Sequence, residues 1–79
     1  MAKVVLYSAE GCHLCERARE TLVAEVSEGG FGEVDITGVP ELEARYREWL
    51  PVVEIDGERA FVHYVDPVAL RRKVAQSPR

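Results

Sequence analysis

Cys12 and Cys15, in the segment Gly11-Cys12-His13-Leu14-Cys15, are the side chains of this sequence best suited to chemistry. A cysteine pair at this spacing can exchange electrons with a disulfide. One thiolate attacks a substrate sulfur, and the second thiol resolves the mixed disulfide. The same spacing can supply half of a zinc site, because structural zinc takes four ligands. The bland alternative is a pair of inert buried thiols, since free cysteine is among the most buried residue types.

The flanking residues bear on that choice. A working dithiol needs an accessible, acidified sulfur and a second sulfur one helical turn away. Leu14, Ala18, Leu22 and Val26 recur every fourth residue, which predicts an amphipathic helix beginning at or just before Cys12. Cys12 then lies among backbone N–H groups without helical partners, at the positive end of the helix dipole. Cys15 follows at i+3 on the same side, within bridging distance after small adjustments. His13, when protonated, favours the Cys12 thiolate, whereas Glu10 and Glu16 oppose it. A modestly acidified thiol is therefore expected, not an extreme oxidant. His13 also has a plain reading as an exposed first-turn residue. The zinc reading has only His13, between the cysteines, and His63, about fifty residues further on, and no evident fourth ligand. No metal is expected.

The elements that must position the pair follow from pattern. "KVVLYS", Lys3 to Ser8, reads as a strand buried on both faces. The Gly29-Gly30 pair stops the first helix. "GEVDIT" alternates, with Val34 and Ile36 on one face and Glu33 and Asp35 on the other, and reads as a second strand. In "GVPELEARYREWL", Pro40 suits a first helical turn, and Leu42, Tyr46 and Trp49 fall on one side of a short helix as core or near-core residues. "VVEIDGERAF" holds two strand-like runs around Asp56-Gly57, a pair that supplies the positive φ angles of a two-residue hairpin turn. That turn sets Glu54 opposite Arg59 as a matched cross-strand pair. His63 falls late in the fourth strand as a surface residue. Asp66 caps the last helix, Pro67 sits in its first turn, and Leu70 and Val74 form its apolar edge. The order β-α-β-α-β-β-α implies a parallel first βαβ unit and an added antiparallel hairpin, in one domain over residues 1–79 with a frayed tail at 76–79.

Ten basic and fourteen acidic side chains leave a formal charge of −4, and no basic face is evident over the first two-thirds of the chain. Neither nucleic acid nor an anionic membrane is expected as a partner. Arg71-Arg72-Lys73 falls in the last turns of a helix, where cations complement the dipole on a solvated face. Val4–Leu6 is too short for a signal-peptide core or a membrane span. The expected location is the cytoplasm, where thiols are kept reduced and a close cysteine pair is more often catalytic or metal-binding than a permanent cross-link. A monomer is expected.

The segment "VVLYSAEGCHLC" followed by a helix, with "LPVVEIDGE" about forty residues further on, resembles the thioredoxin-fold glutaredoxins, most closely the short bacterial glutaredoxin-like proteins. The likeness spans nearly the whole chain. It implies an α/β, thioredoxin-like fold with a four-stranded mixed sheet flanked by helices. It implies a thiol–disulfide oxidoreductase, an electron carrier with Cys12 as nucleophile and Cys15 as resolving thiol, supported by Gly11 and His13. By the same likeness Pro51 is a cis-proline facing the dithiol, and the Leu50 backbone is presented to a peptide substrate. The implied partners are a disulfide-containing protein or small molecule, with a reductase or glutathione as electron source and no further cofactor. Two departures stand out. Glutathione-using members carry a Gly-Gly pair after the fourth strand, where this chain has "VHYVDP", and Leu50 stands where Thr or Val is more familiar. The alternative is a non-catalytic thioredoxin-fold binding module whose cysteines are vestigial or hold a metal.

Overall fold

The computed structural model describes residues 3–76. Its elements are β1 (Val4–Ser8), α1 (His13–Val26), β2 (Gly32–Asp35), α2 (Pro40–Tyr46), β3 (Val52–Ile55), β4 (Glu58–Val62) and α3 (Pro67–Gln76), with short 3₁₀ turns at Glu28–Gly30 and Arg47–Trp49. The four strands form one sheet in the order β2-β1-β3-β4. β1 runs parallel to β2, with Tyr7 opposite Val34, and antiparallel to β3, with Leu6 opposite Val53. This is the mixed sheet that the element order predicts. Among the described residues no helix is long and apolar enough to cross a membrane. Gln76 is the last residue of α3, not part of a tail, and residues 77–79 lie outside the described part.

Strand alternation divides the core between the two sheet faces. On one face Val4, Leu6, Val53 and Ile55 meet Ala18 and Leu22 of α1 and Leu70 of α3, with Val65 closing the cluster. On the other, Ile36, Tyr46 and Val52 form a smaller cluster with Tyr7, Leu42 and Leu50 around it. β1 is not fully buried on both faces. Val5 and Tyr7 are half-buried, because the seven-residue α2 is too short to cover its face of the sheet.

Three expectations shift for related reasons. The buried stripe of α1 is Cys15, Ala18 and Leu22, so Leu14 lies off it and is 52% exposed. Trp49 is 44% exposed because the helix tightens into a 3₁₀ turn after Tyr46. The spacing of 3.6 residues that aligns it with Leu42 then no longer holds. β4 ends at Val62, so His63 lies just beyond the strand, exposed and with φ of 69°.

The hairpin turns at Asp56 and Gly57, both with positive φ (54° and 84°), and Glu54 does stand opposite Arg59. The register slips between Val53 and Glu54, and Val53 pairs with Phe61. Ala60 is thus left over in β4 as a bulge. Glu54 and Arg59 are not among the ion pairs formed by the described residues. The Glu54 carboxylate accepts the Tyr46 hydroxyl at 2.8 Å and the Tyr7 hydroxyl at 3.4 Å. The Tyr7 and Tyr46 rings stack at 4.1 Å, and the Arg59 guanidinium lies 5.6 Å from the Tyr46 ring centre and 6.0 Å from that of Trp49. This cluster pins the end of α2 to the sheet. At α3, Asp66 Oδ1 accepts the Val68 N–H at 2.9 Å, the cap expected from sequence.

The core assignments predict opposite outcomes for two leucines. Leu22→Ala should lower the unfolding free energy of the oxidised protein by about 2–5 kcal/mol, and Leu14→Ala by no more than about 0.5 kcal/mol. Denaturant unfolding curves measure both. Burial, reinforced by the hydrogen bond to Glu54, pushes the Tyr46 phenol far above its ordinary value of 10.0. The raised folded-state value means that this contribution is complete below pH 10 and is lost as pH rises further, when the unfolded phenol ionises first. Urea unfolding between pH 8 and about pH 11 should show stability falling at the alkaline end, less steeply in Tyr46→Phe.

Candidate functional site: a dithiol at the start of the first helix

β1 delivers the chain to the carboxyl end of the sheet, and Gly11 turns it there with a φ of 73°, a left-handed conformation that favours glycine. Cys12 follows in extended conformation as the N-cap of α1 (φ −95°, ψ 102°). N-caps are usually Ser, Thr, Asp or Asn, whose side-chain oxygen accepts an N–H of the first turn. Here the acceptor is sulfur: the Cys15 N–H donates to Cys12 Sγ at 3.1 Å. The Cys12 carbonyl accepts the Glu16 N–H at 3.2 Å. Cys12 and Cys15 are joined as a disulfide with their Cα atoms 5.2 Å apart. Cys12 is half-buried, whereas Cys15 is 3% exposed.

Two open grooves meet at Cys12. The larger, of about 390 Å³, runs between the start of α1 and β2, with Gly11, Cys12 and Cys15 at one side and Glu33 and Asp35 at the other. At its edge Ser8, 6% exposed, donates to Glu33 at 2.8 Å, and Arg19 pairs with the same carboxylate at 2.8 Å. The smaller, of about 270 Å³, runs towards α2 and brings Cys12 and Leu50 into one depression with Ile36, Thr37, Glu43 and Arg47.

The loop between β2 and α2 is tied to the dithiol loop. Thr37 Oγ1 accepts the Glu10 N–H at 2.9 Å, Asp35 accepts the Thr37 N–H at 2.8 Å, and Glu43 accepts the Gly38 N–H at 3.0 Å. The hydrogen bond from the Thr37 backbone, then that from its side chain, holds the Asp35 carboxyl below its ordinary value.

The Leu50-Pro51 peptide bond is cis. The His63 N–H reaches back to this segment, donating to the Pro51 carbonyl at 2.9 Å and the Trp49 carbonyl at 3.2 Å. Leu50 lines the smaller groove, while Pro51 is fully buried and lines neither groove. Gly11, Cys12, Cys15 and Leu50 are therefore brought together. His13 is the exposed first residue of α1, lines neither groove, and has no side-chain partner among the described residues. Those residues also contain no group of three or more His, Cys, Asp or Glu that could hold a metal ion.

Sequence reasoning missed Ser8, Arg19, Glu33, Thr37 and Arg47. Glu33 was legible as a polar face residue of its strand. Its pairing with Ser8 and Arg19 depends on the parallel alignment of β1 and β2, which local pattern does not encode.

The sequence matches the model of the glutaredoxin-like domain (DUF836) over residues 3–75. An uncharacterized protein of Mycobacterium bovis is 38% identical over 82 residues, spanning 95% of this chain and 84% of the relative. Among solved structures, the X-ray structure of target protein XcR50 from X. campestris superposes with a TM-score of 0.79 at 32% identity, over 95% of this chain and 99% of that one. Glutaredoxin 1 from Francisella tularensis, complexed with cacodylate, has a TM-score of 0.61 at 19% identity over 96% and 95% of the two chains. Thioredoxin from Trypanosoma brucei brucei has a TM-score of 0.63 at 23% identity over 95% of this chain and 73% of its own. The last two likenesses concern the fold, which is thioredoxin-like. With an α/β fold of that kind, a cysteine pair at disulfide distance and a family match along nearly its whole length, this chain belongs to the glutaredoxin-like domain family.

Proposed function

We propose that the protein is a thiol–disulfide oxidoreductase, with Cys12 as nucleophile and Cys15 as resolving thiol. The observation that carries this reading is the inequality of the two sulfurs. Cys12, half-buried, caps α1 where two open grooves meet, and Cys15, one turn further on, borders only the larger of them and is 3% exposed. The helix start favours negative charge on Cys12, and the Cys15 N–H is placed to donate to it.

In the reducing direction the Cys12 thiolate attacks one sulfur of a substrate disulfide. That S–S bond breaks and the first substrate thiol departs. Cys15, deprotonated, then attacks Cys12 Sγ, the mixed disulfide breaks, and the second substrate thiol leaves. Two electrons pass from protein to substrate, and the protons given up by Cys12 and Cys15 end on the two product thiols. Glutathione or the dithiol of a reductase returns the protein to its reduced form. Leu50 offers an apolar wall beside Cys12, on a segment held by the His63 N–H. On this reading the protein is a monomeric electron carrier in a reducing compartment, the cytoplasm, with disulfides of proteins or small molecules as substrates.

In anaerobic glutathione buffers, followed by alkylation and mass measurement, the parent should show one reversible two-electron transition linking Cys12 to Cys15. Cys12→Ser should exchange no faster than buffer alone. Cys15→Ser should accumulate a mixed disulfide on Cys12, visible as added mass. A Cys12→Ser variant as fast as the parent overturns the assignment, as does stoichiometric zinc with thiols that react only after chelation.

A further inference from the structure

The grooves that meet at Cys12 are lined by five carboxylates and two guanidinium groups, an excess of three negative charges around the reacting sulfur. One carboxylate, Glu33, is matched by Arg19. Asp35 and Glu43 accept backbone N–H groups of Thr37 and Gly38. Arg47, the other cation, lines the smaller groove. Glu10 and Glu16 differ from these. Both are exposed, one just before and one just after the dithiol segment, and among the described residues neither side chain has a hydrogen bond or ion pair. Their charges face whatever enters the larger groove, which both of them line.

A cleft lined by one sign of charge concentrates ligands of the opposite sign and repels those of the same sign. We propose that this site selects disulfides flanked by positive charge, with Glu10 and Glu16 as the selecting residues. The proposal rests on the reading of Cys12 as nucleophile and adds the substrate class. The exchange itself is unchanged: Cys12 and Cys15 are oxidised to their disulfide and the cationic disulfide is reduced to two thiols. The same charges set glutathione disulfide, which is net anionic, behind a cationic substrate.

The test uses protein reduced with dithiothreitol and desalted, mixed in single turnovers with three small disulfides: hydroxyethyl disulfide (neutral), cystamine (cationic) and dithiodipropionate (anionic). The quantity read is the cystamine-to-dithiodipropionate rate ratio in the parent, divided by the same ratio in the Glu10→Gln/Glu16→Gln double variant. Leaving-group acidity and nucleophile reactivity, which otherwise govern exchange rates, cancel in that quotient. The ratio should fall about tenfold in the variant, and in the parent it should also fall as added salt screens the charges. A ratio unmoved by both changes, with hydroxyethyl disulfide reduced normally, overturns the selectivity and leaves the exchange reading standing. Failure to reduce even the neutral disulfide overturns the exchange reading and this proposal with it. Cyclic peptide disulfides with lysine or glutamate beside each cysteine identify the source of the charge. A larger ratio on the peptides marks a polypeptide substrate, an equal or smaller one a small diamine, and no charge preference on either overturns the proposal.

Discussion

The first turn of an α-helix leaves backbone N–H groups without partners, and in this protein a sulfur atom takes one of them. The Cys15 N–H donates to Cys12 Sγ, so one contact caps α1 and, together with the disulfide, fixes Cys12 against its neighbour. Oxygen caps stabilise a helix by roughly 0.5–2 kcal/mol. Sulfur is a weaker acceptor when neutral and a better one as a thiolate. A cap made by sulfur therefore changes in strength with the charge on that sulfur. This makes the cap more than a way of starting a helix.

The sheet sets where that cap can be. β1 lies between β2 and β3, and its residues are paired on both sides, so the point at which the chain leaves the sheet for α1 is well defined. Parallel pairing with β2 brings Glu33 to Ser8 and sets an acidic wall along one side of Cys12. Antiparallel pairing with β3 brings up the Leu50-Pro51 segment, and Leu50 borders the other side. The tyrosine pair and Glu54 fasten α2 against the same strands. Each groove thus has one wall from the α1 start and another from an element fixed by sheet pairing.

Much of this was legible in the residues, and the exceptions have a common cause. Asp56-Gly57 announced the hairpin because few residue pairs accept two consecutive positive φ angles. Asp66-Pro67 announced α3 because a cap and a missing N–H both suit a first turn. The cysteine spacing after a strand announced a pair close enough to form a disulfide. Periodicity, by contrast, says that residues share a stripe without saying which stripe faces the sheet. Leu14 and Cys15 both begin plausible apolar rows, and packing selects the row that starts at Cys15. Trp49 lost its place when α2 tightened. The Ser8–Glu33–Arg19 group joins residues 25 and 14 positions apart, and only the strand alignment brings them together.

The outer strands close the account. A sheet's edge exposes unpaired backbone groups that can recruit a strand from another molecule. β2 is four residues long and carries Glu33 and Asp35, a short, charged border. β4, the other border, is interrupted by the bulge at Ala60, and a bulge twists a strand and breaks the even spacing on which pairing depends. The irregularity that costs the hairpin part of its ladder leaves intermolecular growth no regular template along β4. Charge on β2 and irregularity on β4 thus both disfavour edge-to-edge pairing, and on β2 the same carboxylates that guard the border also line the groove at Cys12.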